Sequence, residues 1–97
     1  MDNIALKKAI KKIIDGIKTH KKGKALYFDS HYVIEKLISD YNNLYTSNLI
    51  SRNASMRVYH SDLSKLIREL GYKKIGESFS KNILGKYNFC SCWEKVK

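Results

Sequence analysis

The chain of 97 residues has no proline, two cysteines, one tryptophan, and nine acidic residues against nineteen lysines and arginines. Two cysteines cannot staple a small disulfide domain, and their scarcity fits a reducing setting, so a cytoplasmic protein is expected. No apolar run approaches the ~18–20 residues needed to span a bilayer. The basic N-terminus carries spaced apolar residues and lacks the hydrophobic centre of a signal peptide. There is no internal repeat and no Gly/Ser-rich linker, so the expectation is one domain over 1–97.

Catalytic signatures are also missing. The sequence contains no G-x-x-x-x-G-K-[ST] phosphate loop, no G-x-S-x-G elbow and no paired His–Glu constellation. Its acids are few and scattered, which argues against a two-metal centre. Cys90-Ser-Cys92 has the wrong spacing for zinc, and His20, His31 and His60 supply no matching pair. A structural role is expected for the two thiols, and a rim position or a phosphate contact for His60. No enzyme activity, no cofactor and no metal are expected.

What is present is charge. The formal net charge is +10 and the pI about 9.7, a balance that points to a polyanionic partner, nucleic acid first. The charge is uneven. Residues 1–24 hold eight lysines against Asp2 and Asp15, residues 25–58 are neutral, and residues 59–97 hold eight basic residues against four acids.

Periodicity gives the elements. Over residues 3–20, Leu6, Ala9, Ile10, Ile13, Ile14 and Ile17 recur at helical spacing, with Asp2 or Asn3 at the start and Gly23 as the stop. Lys8, Lys11 and Lys12 fall on the opposite face. They can follow a phosphate backbone, form a plain solvated face, or meet an anionic membrane or acidic protein. A strand is predicted over 24–28, then a helix capped by Asp29 or Ser30 and running to about Leu44. Thr46–Ser55 is polar and rich in capping residues, and reads as either a loop or a short helical turn. The next helix is predicted from Ser61 as N-cap to Gly71 as stop, with Leu63, Leu66, Ile67 and Leu70 inward and Tyr59 joining them if it starts earlier. The period then falls to two over 72–80 and 87–96, giving a hairpin.

Helix, strand, helix, uncertain segment, helix, strand, strand is the order of a winged helix-turn-helix. The expected class is therefore α+β, with three helices and a small antiparallel sheet whose hairpin is the wing. Leu63-Ser-Lys-Leu-Ile-Arg-Glu-Leu-Gly-Tyr72, a basic hairpin and an aromatic closing strand resemble winged-helix domains of the regulatory factor X type. They are also similar to the C-terminal winged-helix module of phage and poxvirus-type primase-helicases. The resemblance spans roughly 30–96, most specifically 61–96. It implies that the helix at 61–70 contacts nucleic acid and that the hairpin at 80–87 is a second contact.

The residues themselves support that reading. Arg57, Ser61, Ser64, Lys65 and Arg68 lie opposite the leucine stripe. Arginine can bridge guanine O6 and N7, and lysine or serine can reach bases or phosphates; a solvated outer face is the plain alternative. At the turn, Lys81 and Lys86 can straddle a phosphate, with Asn82 a base contact. Ile83 and Leu84 either fold over the core or meet a protein. Tyr87, Phe89 and Trp93 can stack single-stranded bases, although packing against the first helix is the expectation. The function expected is non-enzymatic binding of double-stranded DNA, as a transcriptional regulator or replication accessory of a phage, virus or mobile element. A module engaging an acidic host or replication protein is the alternative, and a homodimer through the first helix is open.

Overall fold

In a computed structural model, which describes residues 3–17, 26–53 and 55–95, the chain is α+β. Among the described residues there are four helices, α1 (Asn3–Asp15), α2 (Ser30–Asp40), α3 (Asn42–Arg52) and α4 (Met56–Glu69). Three strands, β1 (Leu26–Asp29), β2 (Lys73–Lys81) and β3 (Tyr87–Lys95), form one antiparallel sheet in the order β1-β3-β2. The predicted Gly23 stop and the Asp2 cap lie outside the described residues.

The core is shared by every helix. Leu6, Ile10 and Ile14 of α1, Val33 and Leu37 of α2, Tyr45 of α3, and Tyr59, Leu63 and Ile67 of α4 are buried with Phe28 and Trp93 from the sheet. The stripes predicted for α1 and α4 are those that enter it. Helix α1 ends at Asp15 rather than near residue 20. Gly16 follows, costing about 1 kcal/mol in a helix interior, and its N–H donates to Lys12 and Ile13 carbonyls in a closing turn.

Three helices become four because the predicted second helix breaks at Tyr41, whose backbone (φ −133°, ψ 44°) leaves the helical region. The chain resumes at Asn42 as α3, so the segment left open between loop and turn is mostly helix. Its polarity is met only in part: Asn48 is buried and donates from Nδ2 to the Leu44 carbonyl, while its Oδ1 is buried without a partner. Asn53 ends α3 in the left-handed conformation (φ 48°), which asparagine tolerates better than most residues. Only Asn53 to Ser55 separate α3 from α4.

The cap of α4 is Ser55, whose Oγ accepts the Val58 N–H at 3.3 Å. Ser61 is not the cap, and the helix starts at Met56 rather than near 61. Tyr59 explains the difference: it is fully buried, and its hydroxyl donates to the Tyr45 carbonyl at 2.8 Å. Packing therefore winds the turn before Ser61 into the helix. At the other end Gly71, at φ 98°, supplies the left-handed residue that releases the chain toward β2.

One ion pair is set into this framework. Arg52, its side chain 7% exposed, donates to Asp62 at 2.7 Å and to Asn3 Oδ1 at 3.0 Å, and lies 5.2 Å from the Tyr59 ring centroid. It joins the start of α1, the end of α3 and the middle of α4. Replacing Asp62 by Ala would strand the guanidinium, and a loss of about 3 kcal/mol in urea unfolding is expected. Replacing Lys7, which pairs with Glu69 at 2.8 Å on the exposed surface, should cost under about 1 kcal/mol.

Candidate nucleic-acid interface

The hairpin is built by its turn. Asn82 N–H donates to the Lys86 carbonyl at 2.8 Å and Gly85 N–H to the Asn82 carbonyl at 2.9 Å. Asn82 Oδ1 accepts from Leu84 N–H at 2.9 Å and Lys86 N–H at 3.1 Å. Gly85, at φ 79°, takes a backbone shape that side chains resist. In the ladder, β2 and β3 pair from Lys81↔Tyr87 inward, with a bulge between Lys74 and Gly76.

Three consecutive residues at the β1–α2 junction anchor this hairpin to the helices. Asp29 caps α2 by accepting from Tyr32 N–H at 2.8 Å, and its second oxygen accepts from Ser78 at 3.2 Å. Ser30, 2% exposed, accepts from the Trp93 indole N–H at 2.9 Å and from the Ser64 hydroxyl at 2.9 Å. His31 Nδ1 lies 2.7 Å from the Ser80 hydroxyl. Residues 29–31 thereby set where β2, β3 and α4 stand relative to one another.

The result is a groove of about 610 Å³ between α4 and the hairpin. Arg57, His60, Ser61 and Ser64 line it from α4, and Lys74, Glu77, Asn82, Ile83, Leu84 and Phe89 from the other side. Helical spacing holds Arg57, Ser61 and Arg68 within one exposed stripe, with Lys65 at its margin. Lys65 extends into solvent 3.9 Å from Asp62, and Lys86 is exposed at the turn. Lys81 lies 5.7 Å from the Tyr87 ring centroid.

Two of the predicted contact residues make internal bonds, and three lie apart from the groove. Ser64 is spent on Ser30. Asn82 holds the turn with its carbonyl, which leaves only its Nδ2 for an outside partner. Lys8, Lys11 and Lys12 border a separate depression with Tyr41 and Leu44, sharing no residue with the α4 groove, and Lys11 is 3.5 Å from Asp15. Ile83 and Leu84 do not fold over the core; they border the groove, Leu84 being 68% exposed. Tyr87 and Phe89 do not pack against the first helix either. Trp93 alone of the three is buried, while Tyr87 and Phe89 stand mostly exposed nearer the turn. Cys90 and Cys92 are free and half-buried, and burial chiefly pushes the Cys90 thiol up.

Sequence reasoning missed Lys74, Glu77 and His31, which only the sheet register and the β1–α2 junction bring to the groove. It also missed Phe79, whose alternation with Ile75 and Glu77 was the available signal. Inside the groove, burial and the nearby His31 both lower His60 from its ordinary value of 6.5. Its Nε2 lies 2.7 Å from the Tyr45 hydroxyl, a pairing in which neutral imidazole accepts. Burial raises Tyr59 to about 12. Among the described residues no group of three His, Cys, Asp or Glu could hold a metal ion, and no helix is long and apolar enough to cross a membrane. No family model, curated protein or solved structure matches this chain.

Ser30→Ala is expected to cost about 1–3 kcal/mol by orphaning the buried indole N–H. Combined with Trp93→Phe, the loss should be smaller than the sum, as read in a urea double-mutant cycle. For His60, a lowered folded-state value means that the unfolded chain binds more protons below about pH 6.5, so stability falls as the pH drops through that region. The urea midpoint should decline from pH 7 to 5.5, and His60→Gln should flatten the decline.

Proposed function

We propose that the chain is a winged-helix protein that binds double-stranded DNA without acting on it chemically. The groove between α4 and the hairpin carries this reading, because Arg57 and Ser61 of α4 line it together with Lys74 and the turn residue Asn82, while Lys65, Arg68, Lys81 and Lys86 are exposed outside its lining. The three-residue link between α3 and α4 supports α4 as the helix presented to a major groove. The sheet order β1-β3-β2, with its hairpin closing the chain, supports the wing. In this reading Arg57, Ser61, Lys65 and Arg68 meet base edges and phosphates, and Lys81 and Lys86 meet the flanking backbone. The lysines of α1, on their separate face, do not belong to the same footprint. An acidic protein partner is the second reading, favoured by the apolar Ile83 and Leu84 bordering the groove.

Anisotropy of a labelled random-sequence duplex between about 50 and 200 mM salt should show binding that weakens steeply as salt rises. Replacing Arg57, Lys65 and Arg68 together by Ala should lower the log–log salt slope by up to about 2.7 and the affinity by more than about tenfold. Duplex binding unaltered by the triple substitution, with folding intact, would sink the reading.

A further inference from the structure

Phe79, Tyr87 and Phe89 stand 60%, 61% and 67% exposed on the hairpin. The ladder sets Phe79 directly opposite Phe89 and Lys81 directly opposite Tyr87, so all four side chains leave one face. Phe79 and Phe89 centroids are 5.0 Å apart, and Phe79 and Tyr87 are 5.7 Å apart and nearly parallel at 20°. Ser78 and Ser80 leave the opposite face and hold Asp29 and His31. Trp93, on the ring face by alternation, anchors the inner end of the hairpin through Ser30, but toward the turn the three rings stay exposed and none of them belongs to the core.

Single exposed aromatics need no explanation, but three contiguous rings interleaved with a lysine define a partner. It must be flat and apolar on its faces and anionic between them. The charge agrees, since residues 73–86 hold Lys73, Lys74, Lys81 and Lys86 against Glu77. A duplex hides its base faces in the stack and offers only their edges, whereas an unpaired strand offers both face and phosphate. A purely apolar protein surface would bury Lys81 without a counter-charge, at a desolvation cost.

We propose that this face of the hairpin binds single-stranded nucleic acid, with unpaired bases stacking on Phe79, Phe89 and Tyr87 and with Lys81 and Lys86 on the intervening phosphates. Phe89 also borders the α4 groove, so the strand site adjoins the proposed duplex site. The inference rests on the hairpin rings and not on α4, and it stands or falls separately from the duplex reading.

The test uses the full chain at low salt with a single-stranded 12-mer carrying 2-aminopurine, and a blunt duplex of the same length as control. Binding should quench the 2-aminopurine. Phe79→Ala/Tyr87→Ala, at the two rings that do not line the α4 groove, should remove most of the quenching and weaken single-strand binding by roughly tenfold per ring, with circular dichroism and duplex binding unchanged. The Arg57/Lys65/Arg68 triple variant should keep the quenching. Single-strand binding that the ring variant leaves intact, or that occurs without quenching, would overturn the proposal. So would sedimentation showing a dimer that the ring variant turns into a monomer, since the rings would then cover a second copy of this chain.

Discussion

One hydroxyl group, buried at the first residue of α2, fixes the relation between α4 and the hairpin. Ser30 receives the indole N–H of Trp93 from the sheet and the hydroxyl of Ser64 from α4. A polar group so deeply placed is costly if left unpaired, so its three participants form one unit. Asp29 and His31 extend that unit to Ser78 and Ser80. Hydrophobic burial assembles the helices and is indifferent to small rotations, whereas these directional bonds are not. They give the groove between α4 and the hairpin a defined shape.

The helical side has its own clamp in Arg52, whose guanidinium faces Asp62, Asn3 and the Tyr59 ring. A paired ion at this depth adds little net stability over an apolar substitute, and its effect is to hold three helix segments in one arrangement. With α4 held at Ser64, Asp62 and Tyr59, its outward stripe has no structural duty. Arg57, Lys65 and Arg68 can then meet a ligand without loosening the fold. The same division runs through the hairpin, where Asn82 and Gly85 build the turn and Lys81 and Lys86 remain at its margins.

Much of this was legible from periodicity. The stripes of α1 and α4, the change to a period of two after Gly71, and the turn at residues 82–86 follow from local patterns, which also narrow the cap of α2 to Asp29 or Ser30. The third helix was not legible, because Thr46–Ser55 reads as polar and cap-rich, and its helical state goes with the burial of Tyr45 against Tyr59 and His60. The start of α4 misled for a related reason: Ser55 and Ser61 are both good caps, and only the burial of Tyr59 decides between them. The rings were misassigned because alternation places Tyr87 and Phe89 on the face of Trp93 without telling how far along the strand the core extends. Of the candidate groove, Arg57, Ser61, Ser64 and Asn82 were legible as exposed polar positions, and the residues that Ser30 and its neighbours bring in were not, since such contacts join positions about 30 to 60 apart.

The sheet ends on β2, and an outer strand with open backbone groups is a template on which a neighbouring molecule's strand could grow. Here the bulge between Lys74 and Gly76 interrupts the regular spacing of donors and acceptors. Lysines 73, 74 and 81 stand at the two ends of the strand, so a second molecule approaching in antiparallel register would meet like charge at both. The hairpin can therefore keep three rings in water and still resist strand-by-strand polymerisation, the usual hazard of an aromatic β-ribbon.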